Sequence, residues 1–248
     1  METRMNLEEL AEKLVLWIRE KVTSGGCRGV VLGMSGGIDS SVAAVLCHRA
    51  FPQSTLGLLM PCHSIEEDTE HALAVANKFT ITTRTVVLDG IFDAALKVLP
   101  GDTADRDASR LARANLKARL RMLGLYYFAN QLRYMVVGSS NRSELAVGYF
   151  TKYGDGGVDI LPLGNLVKTQ VRELASFLGI PQEIIDKPPS AGLWQGQTDE
   201  ADLGFSYDEL DRYLLTHEAP DEVRKKIESM IKAGDHKRQP PSLPPSYD

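Results

Sequence analysis

The sequence predicts an α/β fold, an open parallel sheet flanked by helices. Two observations carry this. First, the apolar run Gly29 to Leu32, the turn Gly33-Met34-Ser35-Gly36-Gly37 and the run Val42 to Leu46 read as a buried strand, a glycine-rich loop and a packed helix. Second, apolar or β-branched runs alternate with amphipathic stretches as far as Gly138. Strands alternating with helices imply right-handed βαβ crossovers and a parallel sheet.

Leu7, Leu10, Leu14, Trp17 and Ile18 fall at helical spacing, so a helix runs over about 6–22 and Ser24-Gly25-Gly26 ends it. The first strand and the glycine-rich loop follow, then a helix to about Ala50, closed by Pro52. Thr55 to Met60 reads as a second strand, Pro61 to Ser64 as a turn and Ile65 to Phe79 as a helix. Thr83 to Leu88, rich in β-branched residues, reads as a third strand. Asp89 opens a helix that stops near Pro100, and Gly101-Asp102-Thr103 is a polar break. A long helix then spans about Asp105 to Leu132, with an apolar stripe of Leu116, Leu120, Leu123 and Tyr127. Its second stripe, Arg106, Arg110, Arg113, Lys117 and Arg121, is cationic; it fits a solvated face with local acid partners as well as one turned to an anion or a subunit.

Tyr134 to Gly138 is the fourth strand, and Ser139 to Glu144 is the loop at its carboxyl end. Ligands of open parallel sheets sit at those ends, so this loop is expected near the glycine-rich loop. From Tyr149 to Gly164 periodicity is lost, and such a long irregular stretch is often functional. Lys168 to Leu178 is helical, Lys187 to Asp202 is irregular, and helices are expected near Tyr207 to Leu215 and Pro220 to Lys232. The Pro-rich end, about 240–248, is expected to be mobile. With no internal repeat and no clear linker, 1–248 reads as one domain with helical additions at both ends.

Composition narrows the function. The chain has 248 residues, 43% hydrophobic and 25% charged, the mix of a globular protein. No apolar run approaches membrane-spanning length, and the acidic, amphipathic start differs from a signal peptide, so a cytoplasmic protein without a membrane partner is expected. The net charge of -5 argues against a nucleic-acid partner, which needs a basic footprint. Cys27, Cys47 and Cys62 have no metal-ligand spacing and read as reduced thiols, Cys47 in the core.

Strand, glycine-rich turn and helix is the layout that holds an anion on helix N-terminal amides. Gly36 and Gly37 permit positive φ and close backbone approach, and Ser35, Ser40 and Ser41 add hydroxyl donors. A phosphate is implied. The P-loop is excluded because no Lys follows the glycines, and the dinucleotide fingerprint because the glycines are adjacent. Asp39 beside a polyphosphate would repel it unless a divalent cation lay between, which implies Mg²⁺. The competing reading of Asp39 is a plain helix-start residue.

The stretch Ser35-Gly36-Gly37-Ile38-Asp39-Ser40-Ser41 resembles the PP-loop of the ATP pyrophosphatases, whose fold is that of the adenine nucleotide α-hydrolases. Further segments narrow the resemblance: Asn115 to Met122, Ser139 to Glu144, Phe150 to Gly157, Lys187 to Ala191, Gln197 to Glu200, and His236-Lys237-Arg238. In this order they resemble the ammonia-dependent NAD⁺ synthetases over nearly the whole chain. The resemblance implies a homodimeric ligase that makes NAD⁺ from deamido-NAD⁺, ATP and ammonia through an adenylated intermediate, releasing AMP and pyrophosphate. It also implies that the glutaminase domain of glutamine-using relatives is absent.

The resemblance implies roles for residues. Gly33, Met34, Ser35, Gly36, Gly37, Ile38, Asp39, Ser40, Ser139, Lys168 and Ser190 match ATP contacts. Asp39 and Glu144 match Mg²⁺ ligands. Asn115, Arg119, Lys152, Asp159, His236 and Lys237 match contacts to deamido-NAD⁺, and Asp155 is a candidate in the catalytic loop. Arg119 also marks the long helix as the expected subunit interface. Gly192 departs from relatives that carry an acid there. Each role has a plainer counterpart. Asn141 three residues before Glu144 is a capping-box pattern. Lys168 could be a solvated lysine, although a cation in a first helical turn opposes the helix dipole. Gly154 to Gly157 could be a turn, and His236-Lys237 a charged tail.

Two other functions compete. A tRNA-thiolating or GMP-forming PP-loop enzyme would share the loop, but thiolation needs a reactive cysteine, for which only Cys62 is loosely placed. A non-catalytic nucleotide-binding module would not need the carboxylates Asp39 and Glu144.

Overall fold

In the computed structural model, residues 6–99, 105–190, 192, 194 and 196–246 are described. The expected stop at Pro100, the break at Gly101-Asp102-Thr103, and residues Ala191 and Gln195 lie outside them. Four parallel strands, β1 (Gly29–Gly33), β2 (Thr55–Leu59), β3 (Thr82–Thr85) and β4 (Tyr134–Val137), form one sheet in the order β3-β2-β1-β4. β1 is central, with Val30 opposite both Thr55 of β2 and Met135 of β4. Connections leave β1 towards β2 and return on its other side to β4, so the sheet switches direction between β1 and β4. Such a switch point opens a crevice at the carboxyl ends of the strands.

One face of the sheet is covered by α1 (Leu7–Ser24), α2 (Ile38–Ala50), α3 (Glu66–Phe79) and α7 (Lys168–Leu178). Ile18, Leu46 and Leu174 are fully buried there. Each such side chain contributes about 1.5–3 kcal/mol by leaving water. α2 is buried almost all round, so it lacks a polar face. The other face carries α4 (Asp89–Val98) and α5 (Arg106–Leu132), packed through Phe92, Leu125 and Phe128. A third apolar cluster joins α6 (Arg142–Val147), α9 (Asp199–Leu203), α10 (Tyr207–Thr216) and α11 (Asp221–Ala233). Two short helices, α8 (Gln182–Ile185) and α12 (Asp235–Arg238), complete the fold.

Four expectations need correction. The third strand ends at Thr85, because Val86 and Leu88 follow β2 only through single bonds to Leu59 and Pro61. The stretch Ser139 to Glu144 is half helix, since α6 begins at Arg142. On α5, Leu123 and Tyr127 are exposed, and the core is met instead by Ala118, Leu125 and Phe128. The cationic stripe is also divided: Lys117 is buried, and Arg121 reaches inward to Met60 O and Ser64 Oγ, while Arg106, Arg110 and Arg113 are exposed.

Candidate active site

The loop after β1 turns sharply. Gly36 has φ +80°, and a Cβ there would stand 2.1 Å from the Asp68 carbonyl of α3, so glycine is required twice over. Gly37 differs from expectation: its φ is -86°, and it serves as the N-cap of α2 without a capping side chain. Serines shape the loop. Ser35 Oγ and Ser40 Oγ are 3.0 Å apart, and Ser40 and Ser41 donate to Gly37 O at 2.9 and 2.8 Å. The first amides of α2 therefore point out of the turn with the positive end of the helix dipole behind them.

Asp39 lies in the first turn of α2 and meets the segment after β4, as the switch point requires. Asn141 Nδ2 donates to Asp39 Oδ1 at 2.9 Å. Lys168, the first residue of α7, donates to Asp39 Oδ2 and, at 3.4 Å, to Glu144 Oε1. Its side chain is 3% exposed, so it is no solvated lysine. Glu144 does two things at once. Its Oε2 accepts from the Asn141 N–H in a capping box, while Oε1 faces Lys168. Burial, with the charge of Asp39, pushes the Glu144 carboxyl up to about 8 against the opposing pull of Lys168. Burial disfavours the Lys168 ammonium, but Asp39 and Glu144 outweigh it and raise its pKa.

A buried polar frame holds these groups. Asp211 of α10 accepts from the Thr169 N–H at 2.7 Å and from Ser143 Oγ, which in turn accepts from the Lys168 N–H. One carboxylate thus caps α7, where Val167 offers no side-chain cap, and offsets the unfavourable placing of Lys168. Ser139 follows β4 in the same segment as Asn141. Ser190 is exposed in the chain between α8 and α9, where Lys187 is paired to Asp68 at 2.8 Å.

A second group surrounds the irregular stretch after α6. Thr151 donates to Asn115 Oδ1 of α5 at 2.7 Å, and the Thr151 N–H donates to Asp155 Oδ1 at 3.0 Å. Arg119 reaches Lys152 O at 3.4 Å. Lys152 Nζ donates to His236 O, and Lys237 Nζ donates to Gly148 O and Phe150 O at 2.7 and 2.9 Å. His236-Lys237-Arg238 is therefore an ordered helical turn docked on this stretch. Asp159 stands apart: its two oxygens accept from Tyr126 OH and the Val136 N–H, which ties the stretch to β4.

The sequence profile of the NAD synthase family matches residues 10–241. The chain belongs to the NAD synthase family. It is 48% identical over 241 residues to the NH(3)-dependent NAD(+) synthetase of Carboxydothermus hydrogenoformans, covering 97% of this chain and 99% of that one. Among solved structures, it matches an NMN synthetase from Francisella tularensis with a TM-score of 0.92 and 37% identity, covering 97% of this chain and 99% of that one. It matches an NH3-dependent NAD synthetase from Campylobacter jejuni with a TM-score of 0.80 and 29% identity, covering 97% and 100%.

Within the segments that carry the resemblance the structure also brings in Asn141, Ser143 and Asp199, and from α10 it adds Tyr207 and Asp211. Asn141 was visible as the capping partner of Glu144. Asp211 carries no local signal, because its partners lie 42 and 68 residues away along the chain. Cys62, the thiol a sulfur-transfer reading would need, is fully buried, and burial raises its pKa. That keeps it protonated and inert.

Proposed function

We propose that this chain forms NAD⁺ from deamido-NAD⁺, ATP and ammonia. The observation that carries the reading is the buried Lys168 paired with the half-buried Asp39 and Glu144 beside the glycine-rich loop, at the sheet's switch point. In the first step the dinucleotide carboxylate attacks the α-phosphorus of ATP. The bond to the β-phosphate oxygen breaks, pyrophosphate leaves and an acyl adenylate forms. Ammonia then attacks the acyl carbon, AMP leaves with the bonding pair, and the nitrogen sheds a proton.

The chain's part is to place these groups and balance their charge. Gly33 to Ser40 cradle the ATP phosphates on backbone amides and hydroxyls, with Ser139 and Ser190 on the nucleotide and Lys168 on the phosphates. Asp39 and Glu144 fit Mg²⁺ as hard oxygen donors. Among the described residues no third His, Cys, Asp or Glu closes on the same point, so phosphate oxygens would complete the shell. When bound, the cation neutralises the departing pyrophosphate. Asn115, Arg119, Lys152, His236 and Lys237 face the dinucleotide, Asp159 holds this wall from behind, and Asp155, which accepts from the Thr151 N–H, is the candidate in the catalytic loop. The chain works as a single domain, in the cytoplasm, and pairs with a second copy through α5, where Leu111, Leu123, Tyr127 and Leu132 are exposed.

A second reading takes the acid mononucleotide and forms NMN, and the likeness to the Francisella tularensis structure favours it. Competition between the two acids decides. The first reading expects the dinucleotide to have the higher kcat/KM, and preference for the mononucleotide would reverse it.

A further inference from the structure

Asp199, the first residue of α9, is not needed by the scheme above, yet it is buried against its centre. It is 4% exposed. Its Oδ2 accepts from Tyr207 OH at 3.0 Å, and its Oδ1 is buried without a well-formed hydrogen bond; the Tyr149 hydroxyl, which donates to Asp202, also acts on this carboxylate. The same Tyr207 carries the Lys168 ammonium over its ring, with Nζ 5.0 Å from the ring centre. The charges of Asp199, Lys168, Glu144 and Asp39 act on one another. A buried carboxylate oxygen without a partner costs free energy and calls for a cation or donor. The carboxyls of Asp39, Glu144 and Asp199 all act on the single ammonium of Lys168.

Lys168 holds the two carboxylates assigned to the divalent cation, so the two cations compete for the same oxygens. We propose that Asp199 is the exchange partner of Lys168: when a divalent cation takes Asp39 and Glu144, the displaced ammonium donates to Asp199 Oδ1. This rests on the proposed cation site. Asp199 is thus a positioning residue that keeps Lys168 charged, buried and beside the phosphates while the metal enters.

The test measures Mn²⁺ bound to the ATP-free protein by electron paramagnetic resonance. Asp199→Asn keeps the volume and the Tyr207 bond, and is expected to weaken Mn²⁺ binding about 10–100-fold. Lys168→Met removes the competitor and should tighten it. In the Lys168→Met background, Asp199→Asn should change affinity by less than about twofold, because the two act as a unit. Unaltered affinity in Asp199→Asn, or a full loss that persists without Lys168, would overturn the exchange. Binding that is equal in wild type and Asp39→Asn would instead sink the cation site itself. A second measurement needs no variant at Asp199. The ¹⁵N ammonium resonance that Lys168→Met lacks should shift and remain visible as Mg²⁺ is added. Its loss to fast solvent exchange, or its failure to move, would contradict the proposal.

Discussion

Asp39 and Glu144 are held by different means, and their substitution separates charge from shape. Asp39 accepts from Asn141 and Lys168, so Asp39→Asn keeps the packing and removes the charge. Turnover is expected to fall by about 10² or more with the fold intact, as when a charge-stabilising group is lost. Glu144→Gln should act alike. If both variants turn over normally at limiting Mg²⁺, neither residue is a metal ligand. Glu144 also gives a pH signature. Its folded pKa is raised from 4.5 to about 8, so the folded protein keeps a proton that the unfolded chain releases. The stabilisation from this group is complete below the unfolded value and is lost as pH rises through the folded one. Melting of the metal-free protein should therefore lose stability between about pH 5 and pH 8, and Glu144→Gln should flatten that slope. A divalent cation replaces the proton, so the gain in Tm on adding Mg²⁺ should grow with pH over the same range. A gain independent of pH would contradict this.

At the scale of elements, α5 links two expectations. Its outer side shows Leu123 and Tyr127 one turn apart, both more than half exposed, and Arg119 projects from the same helix. Leu123→Glu with Tyr127→Glu should yield a monomer in sedimentation; a persistent dimer would place the interface elsewhere. Arg119→Ala should stay dimeric and raise KM for the dinucleotide about tenfold or more, the worth of a charge-assisted contact, with KM for ATP nearly unchanged. Selective loss of ATP affinity would show the two substrates exchanged. This helix also shows what the sequence could convey. Helical spacing located it to within a residue, because propensity and periodicity act locally. The same spacing does not tell a stripe facing the core from one facing outward, so Leu123 and Tyr127, expected inward, are exposed. α6 is too short for periodicity to show it, although its capping box is readable in the sequence. The third strand was drawn too long, since Val86 and Leu88 have the composition of a strand but leave the ladder.

At the scale of the molecule, the site exists because the sheet reverses direction between β1 and β4, bringing Asp39 to Asn141 across 102 residues. The phosphate loop could be read locally, from adjacent glycines and serines between strand and helix. The support of the Lys168 backbone could not: Asp211 comes from α10, which meets α7 only once the chain has folded. On the proposed reading, this site splits ATP between its α and β phosphates to activate a carboxylate for ammonia. One measurement meets it directly. The protein is mixed with deamido-NAD⁺, ATP, Mg²⁺ and ammonium, and NAD⁺, AMP, ADP and pyrophosphate are quantified together. Equal amounts of NAD⁺, AMP and pyrophosphate are expected, with no ADP. ADP and orthophosphate in place of AMP and pyrophosphate, or AMP released without NAD⁺, would contradict it.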